Sequence, residues 1–478
     1  MKKWLIAQAL IIALPFIFPQ PIAAHAFGKL YNLPVPFWLY LYGGVAAIVV
    51  SFLIIGYFFN KAKQTFSYPT GDLSKFRIAA ILTSSRFFTT LKITGLFLFF
   101  LTILSGFLGT DIPRFNFNMT FFWIIFVLGF TYATAIFGNV WAIVNPWKTL
   151  FEALETLFGK KMEGFVAYPK SLSYYPALIL FFLFIWIELM GETNPQSLSM
   201  ILLQYSIITF AAVLIFGKNI WFQYGEFFSV FFKLIAKLAP LEYKNSKLYL
   251  RLPIVGLLKE TTDRFSLLLF ILFMLSSTAF DGFRSTVHWV RLSRVLIEPP
   301  VGLVFGEGSF LTSQIVKTVG LILALIVSLY VYLVLVALAK VIAKSSLSFG
   351  ELALRFAFSL VPIALAYNIA HYYTLIQTEG QNMFRIISDP FGVGWNLFKT
   401  ATYETDYLVV NANFAWHSQV AVILAGHIAG VYLAHQIALN VFPSHKRAFA
   451  SQLPMLILMV IYTMAGLWIL SQPITSEI

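Results

Sequence analysis

The fold class that this sequence predicts is an all-α, polytopic transmembrane helical bundle. Three observations predict it. Of the 478 residues, 59% are hydrophobic and only 11% charged, against roughly 25% charged in a soluble globular chain. Ten apolar runs are each long enough to cross hydrocarbon. Lysine and arginine collect in alternate connections between those runs, as they do in membrane proteins. A soluble fold of this size cannot hide so much apolar surface. Lipid accepts it, and runs of this length satisfy their own backbone as helices rather than as barrel strands.

At the N-terminus, Lys2 and Lys3 precede an apolar run, Leu5–Phe18, which is followed by Pro19, Pro21 and Ile22-Ala23-Ala24. Basic, apolar and small-residue regions in that order predict a secretory signal peptide over 1–24. A single integral membrane domain is then expected over 25–478, with His25 as its first residue; a cut after Ala26 would leave Phe27 instead. An uncleaved anchor is the alternative. The spans are expected near 37–59, 91–109, 118–138, 174–192, 198–217, 265–283, 313–340, 350–375, 413–437 and 452–471.

Charge gives these spans a direction. With the mature N-terminus outside, the inner connections hold 22 Lys and Arg, among them Lys148, Lys218, Lys247 and Arg251, and the outer segments hold eight. The positive-inside rule therefore predicts both termini outside, in a bacterial inner membrane. The net charge of +13 meets anionic lipid heads rather than nucleic acid, since no basic stripe interleaves with aromatics beyond those loops. The absence of cysteine removes disulfides, thiolate ligands and a cysteine nucleophile.

The connections carry their own signals. Trp221–Leu238, with phenylalanines set against Lys233 and Lys237, reads as an amphipathic helix lying in the inner leaflet. Ile136-Phe137-Gly138-Asn139 before Trp141 resembles Ile215-Phe216-Gly217-Lys218 before Trp221, a faint repeat of the kind found in transporters. Asn145-Pro146-Trp147 reads as a span end, with proline halting the helix and tryptophan anchoring at the interface. In the outer loop Asp389–Asn396 the glycines permit a tight fold, in the manner of a lid.

Ionisable groups inside spans are costly, and so are candidates for function. Glu188 and Asp281, near the outer ends of their helices, are the catalytic candidates. His371, His417, His427 and the possible mature N-terminal His25 are the metal-ligand candidates, suited to Zn²⁺ or Cu²⁺. Glu188, Asp281, His371 and His417 share a depth toward the outer leaflet, which says nothing of lateral proximity. His427 and His435, eight residues apart, differ by roughly 80° and about 12 Å on one helix, so they cannot hold one ion together. They could ligate separate stacked groups, or simply hydrogen-bond between helices. No nucleophile elbow, zinc-protease motif or phosphate loop is present.

Several stretches taken together carry a resemblance. His25-Ala26-Phe27-Gly28, Leu33-Pro34-Val35-Pro36-Phe37-Trp38, Gly138-Asn139-Val140-Trp141 running into Asn145-Pro146-Trp147, Ser388-Asp389-Pro390-Phe391-Gly392 and Gly426-His427 resemble a family of bacterial multi-pass membrane proteins. Some of its members carry the name fenitrothion hydrolase. The resemblance spans nearly the whole chain and implies hydrolysis of an organophosphate triester, commonly by metal-activated water. The leading expectation is thus a membrane-embedded, metal-dependent hydrolase with a periplasm-facing His/carboxylate site and a small-molecule substrate. The alternatives are a carrier or channel for a small solute or ion, and a non-catalytic subunit that partners other membrane proteins in a respiratory or copper-handling complex.

Overall fold

The computed structural model describes residues 35–58 and 68–472; the expected signal peptide lies outside them. Among the described residues nine helices are long and apolar enough to span a membrane: α1 (Phe37–Phe58), α2 (Ser85–Leu108), α3 (Phe117–Phe137), α6 (Pro195–Phe216), α8 (Phe265–Arg284), α9 (Phe310–Ile342), α10 (Phe349–Ile386), α11 (Ala412–Val441) and α12 (His445–Ser471). The chain is a multi-pass membrane protein. Among the shorter helices are α4 (Pro146–Phe158), α5 (Tyr175–Met190) and α7 (Phe227–Ala236). The run expected to span at 174–192 is α5. Held between Pro176 and Gly191, its 16 residues reach only ~24 Å at 1.5 Å each, short of a ~30 Å hydrocarbon core.

The chain divides into two units, one of residues 1–67, 257–371 and 412–478, the other of 68–256 and 372–411. In the first, α12 packs against α1, α9 and α11, and α8 against α9. Helix α8 is buried on nearly every face, from Leu267 through Phe280. Close helix approach comes from small residues, as lipid-embedded packing requires. A Cβ on Gly430 would lie 2.9 Å from the Ser359 carbonyl oxygen, and one on Gly426 only 2.2 Å from the Ala366 Cβ of α10.

The second unit is built on a repeat. Helices α2 and α3, then Gly138, a turn with Trp141, Asn145 and α4, match α5 and α6, then Gly217, a turn with Trp221, Glu226 and α7. Both glycines sit at positive φ, 84° and 87°, where a side chain would be strained. Both are also crowded by backbone. The Glu163 carbonyl, five residues beyond α4, fills the Cβ position of Gly217 at 2.4 Å. The Leu241 carbonyl, five residues beyond α7, fills that of Gly138 at 2.7 Å. Each copy thus closes on the other's helix end.

The copies also meet cap to cap. Asn145 caps α4, accepting from the Lys148 amide at 3.0 Å, and Glu226 caps α7, accepting from the Phe228 and Ser229 amides at 3.0 and 2.9 Å. Across the repeat, Asn145 Nδ2 and Trp141 Nε1 donate to Glu226 Oε2 at 3.3 and 3.5 Å. The Ser229 and Tyr205 hydroxyls complete the set, Ser229 at 2.5 Å. Six donors surround a fully buried carboxylate. The other end of α7 meets Arg251, whose guanidinium donates to the Ala236, Lys237 and Ala239 carbonyls at 3.0–3.4 Å and pairs with Glu242 at 2.9 Å. Anion at the N-terminus and cation at the C-terminus both suit the helix dipole.

Two expectations change here. Trp221–Leu238 turns its apolar face to protein rather than leaving it open to lipid. Phe227, Phe228, Val230, Phe232, Leu234 and Ile235 are buried, and Phe228 meets Phe126 at 5.2 Å and Trp147 at 6.3 Å while Phe232 meets Phe130 at 5.0 Å. Nor does Asn145-Pro146-Trp147 merely end a span. Pro146 opens α4, where its missing N–H costs nothing, and the buried Trp147 donates to Ser206 Oγ at 2.8 Å. A small antiparallel sheet, absent from the sequence expectations, joins β1 (Thr70–Asp72), β2 (Leu241–Lys244) and β3 (Lys247–Arg251) in the order β1-β3-β2. Its β2–β3 turn places Asn245 and Ser246 at positive φ, the geometry of a tight two-residue hairpin.

Burial pushes the Glu226 carboxyl above the usual glutamate range, against the pull of its hydrogen bonds. A raised acid contributes stability in full below its ordinary pKa and loses it as pH climbs through the raised folded value. The thermal midpoint of the purified protein is therefore expected to fall across that window in the wild type. Glu226→Gln is expected to flatten the fall, and an unchanged slope would refute the assignment. Glu226→Ala, which strands six donors, is expected to cost about 3 kcal/mol or more at every pH.

Candidate functional site

The polar constellation most suited to chemistry lies in the first unit, at the end of α8. Asp281 is in the last turn of that helix, where the dipole disfavours an anion. Two partners offset the cost. Arg284, one turn on, donates through Nε to Asp281 Oδ1 at 3.0 Å, and His371 Nε2 on α10 meets Oδ2 at 2.9 Å. The three side chains are 12%, 20% and 20% exposed, sheltered but not sealed. Gly282 allows the approach: a Cβ there would stand 2.6 Å from an Ile469 methyl and 3.4 Å from His371 Cε1.

Tyr367 stands one turn before His371, their rings stacked with centroids 6.4 Å apart. Its hydroxyl, 3.6 Å from that same Cβ position on Gly282, is buried without a hydrogen-bond partner. The site therefore gathers a carboxylate, a guanidinium, an imidazole and an unsatisfied phenol. A carboxylate oxygen only accepts, so in this contact the donor is the imidazole Nε2. That is the arrangement of a proton-exchanging pair, or of an oriented general base.

The remaining sequence candidates fall elsewhere. The exposed His417 uses both ring nitrogens, with Tyr40 Oη at 3.2 Å and the Asn413 carbonyl at 2.7 Å. On the same helix, His427 is buried, donates from Nδ1 to the Ile423 carbonyl at 2.8 Å, and leaves Nε2 without a partner. The buried His435 ring lies edge-on to His445 at 6.4 Å. Glu188, half-buried near the end of α5, belongs to the other unit. His25 is outside the described residues. Of the six candidates, only Asp281 and His371 are shown in contact. Among the described residues no three His, Asp or Glu side chains gather as metal ligands, so the expected Zn²⁺ or Cu²⁺ finds no donor set there.

Arg284, Tyr367 and Glu226 are not among the candidates that the sequence analysis singles out. Arg284 was legible, standing three residues after an in-span acid, which is the spacing of a helical ion pair. The Asp389–Asn396 loop is tied down by hydrogen bonds. Asp389 accepts from the Val393 and Gly394 amides at 3.0 and 2.7 Å, and the Thr110 amide donates to the Phe391 carbonyl at 2.8 Å.

No family model, no curated protein and no solved structure matches the chain.

The Asp281–His371 contact has a spectroscopic signature. In histidine-labelled protein, one ring is expected to show an Nε2-protonated tautomer, and Asp281→Leu is expected to shift that resonance alone. Nitrogen shifts unchanged by the substitution would show that the pair does not form.

Proposed function

We propose that this chain is a multi-pass inner-membrane carrier that moves a small solute or ion in exchange with protons at the Asp281–His371 pair. The carrying observation is the 2.9 Å contact between an in-span carboxylate and an imidazole on a second span. Titratable groups held at such depth are costly unless they serve a path through the membrane. Arg284 pairs with the same carboxylate at 3.0 Å, and imidazole is the side-chain type most often used to pass protons near neutral pH. The duplicated helix pair of the second unit, with its interrupted helix ends, supports the same reading, since carriers are commonly built from internal repeats.

A second reading keeps the hydrolase that the family resemblance implies. Its support is the same dyad, in which a carboxylate orients an imidazole toward a water as general base. Glu188 and a divalent metal would then need donors beyond those the described residues bring together.

Proteoliposomes separate the two. A panel of labelled ions and small organic solutes, with an organophosphate triester among them, is offered to vesicles carrying an imposed pH gradient and an internal pH dye. The expected result is gradient-driven accumulation of a panel member with matching proton movement. Asp281→Asn is expected to reduce both by at least about tenfold, because the charge that pairs with the imidazole is gone. Cleavage of the ester without flux of any solute would overturn the carrier in favour of the hydrolase.

A further inference from the structure

A second polar site lies in the other unit and owes nothing to the Asp281–His371 pair. The first turns of α2, the start of α4 and the β2–β3 turn enclose an open cavity of about 490 Å³. Thr83, Ser85 and Thr89 line it with hydroxyls, Tyr243 adds a phenol, and Lys92 and Lys148 supply cations. Glu152 is its one acid, and it pairs with Lys92 at 2.6 Å. The hydrogen bond of Lys148 goes to the Ala142 carbonyl at 3.1 Å. An ammonium has three protons to give, so both lysines retain donors for a ligand. The positive end of the 24-residue helix α2 opens into the same space, and such termini favour anions.

From this geometry we infer that the cavity binds a phosphate group. The donors suit it: two ammonium groups as point charges, hydroxyls from the start of α2 and from Tyr243 and Ser246, and the helix start itself. Acidic and apolar ligands have less to meet, since one carboxylate is already neutralised and the lining is mainly polar. The electrostatics agree. Burial holds the Lys148 ammonium below its usual range, and the charges of Lys92 and Lys218 press the same way against Glu152. An anion in the cavity would relieve that strain. The phosphate has two sources, the headgroup of an anionic phospholipid or free phosphate from solution. A basic pocket between helices on the face the charge rule places inside is suited to the first.

Two arms on the full-length chain distinguish them. Inorganic phosphate is titrated calorimetrically into protein in neutral detergent. Separately, the protein is placed in phosphatidylcholine discs doped with phosphatidylglycerol, and the retained lipid is counted by native mass spectrometry. Binding in the first arm alone assigns free phosphate, and retained phosphatidylglycerol assigns the headgroup. In whichever arm the wild type binds, Lys92→Met with Lys148→Met is expected to weaken binding at least about tenfold. Lys160→Met, outside the cavity, should leave it unchanged. Thr89→Glu, which adds a carboxylate to the lining and removes no lysine, should cause the same loss, so misfolding of the double variant would not hide the result. No binding in either arm, undiminished binding in the cavity variants, or equal loss in Lys160→Met would overturn the site.

Discussion

The second unit depends on a buried carboxyl group with no cation among its hydrogen-bond partners. Glu226 is wholly excluded from solvent, and six donors from four parts of the chain converge on it: two amides of α7, the Ser229 hydroxyl, the Tyr205 hydroxyl of α6, and the side chains of Trp141 and Asn145. In a low-dielectric interior each donor left unmade costs about 1–3 kcal/mol, so the arrangement is nearly all-or-nothing. Moving α7 by one turn would strand the carboxylate and several donors together. The position of that helix is set by polar satisfaction, and the phenylalanines then fill the space around it.

The repeat explains why such a network exists. Asn145 and Glu226 occupy equivalent places, each capping the helix that follows a positive-φ glycine and a tryptophan turn. Asparagine supplies a donor as well as an acceptor, whereas a carboxylate only accepts. Two carboxylates facing each other here would have lacked a donor between them. Divergence at this pair lets the two copies bond directly. The same logic operates at their far ends, where Asn118 Nδ2 of the first copy donates to the Pro195 carbonyl and Ser199 Oγ of the second, at 2.7 and 3.2 Å.

What could be read from the residues, and what could not, follows the same division. Every apolar run was legible as a helix, because lipid leaves a chain of that composition no other way to satisfy its backbone. The depth of α7 was not. Phenylalanines set against Lys233 and Lys237 give the same amphipathic pattern whether the apolar face meets lipid or protein, and only the partners Phe126, Phe130 and Trp147 decide between them. The length of α5 was lost for a related reason: apolar residues extend past the prolines and glycines that end a helix. At the candidate site, Asp281 and His371 were legible singly because in-span charge is rare. Their contact was not, since helix adjacency leaves no trace in hydropathy; the trace that did exist was Gly282, a missing side chain beside the acid.

The two buried carboxylates invite comparison, because their surroundings divide their roles. Glu226 spends its oxygens on donors that belong to the framework, two of them backbone amides that cannot move without unwinding α7. No imidazole or guanidinium touches it, so a proton arriving there would have no neighbour to pass to. Asp281 bonds instead to a guanidinium and to an imidazole, the second of which can exchange a proton, and its site keeps some exposure to its surroundings. It also stands in the last turn of its helix, the less favourable end for an anion, and so depends on Arg284 and His371 to remain there. An acid held by its backbone stabilises a fold. One held against the field of its helix by an imidazole on a second helix depends on a contact that a movement of either helix would change, and on this ground Asp281, rather than the more deeply buried Glu226, carries the proposed function.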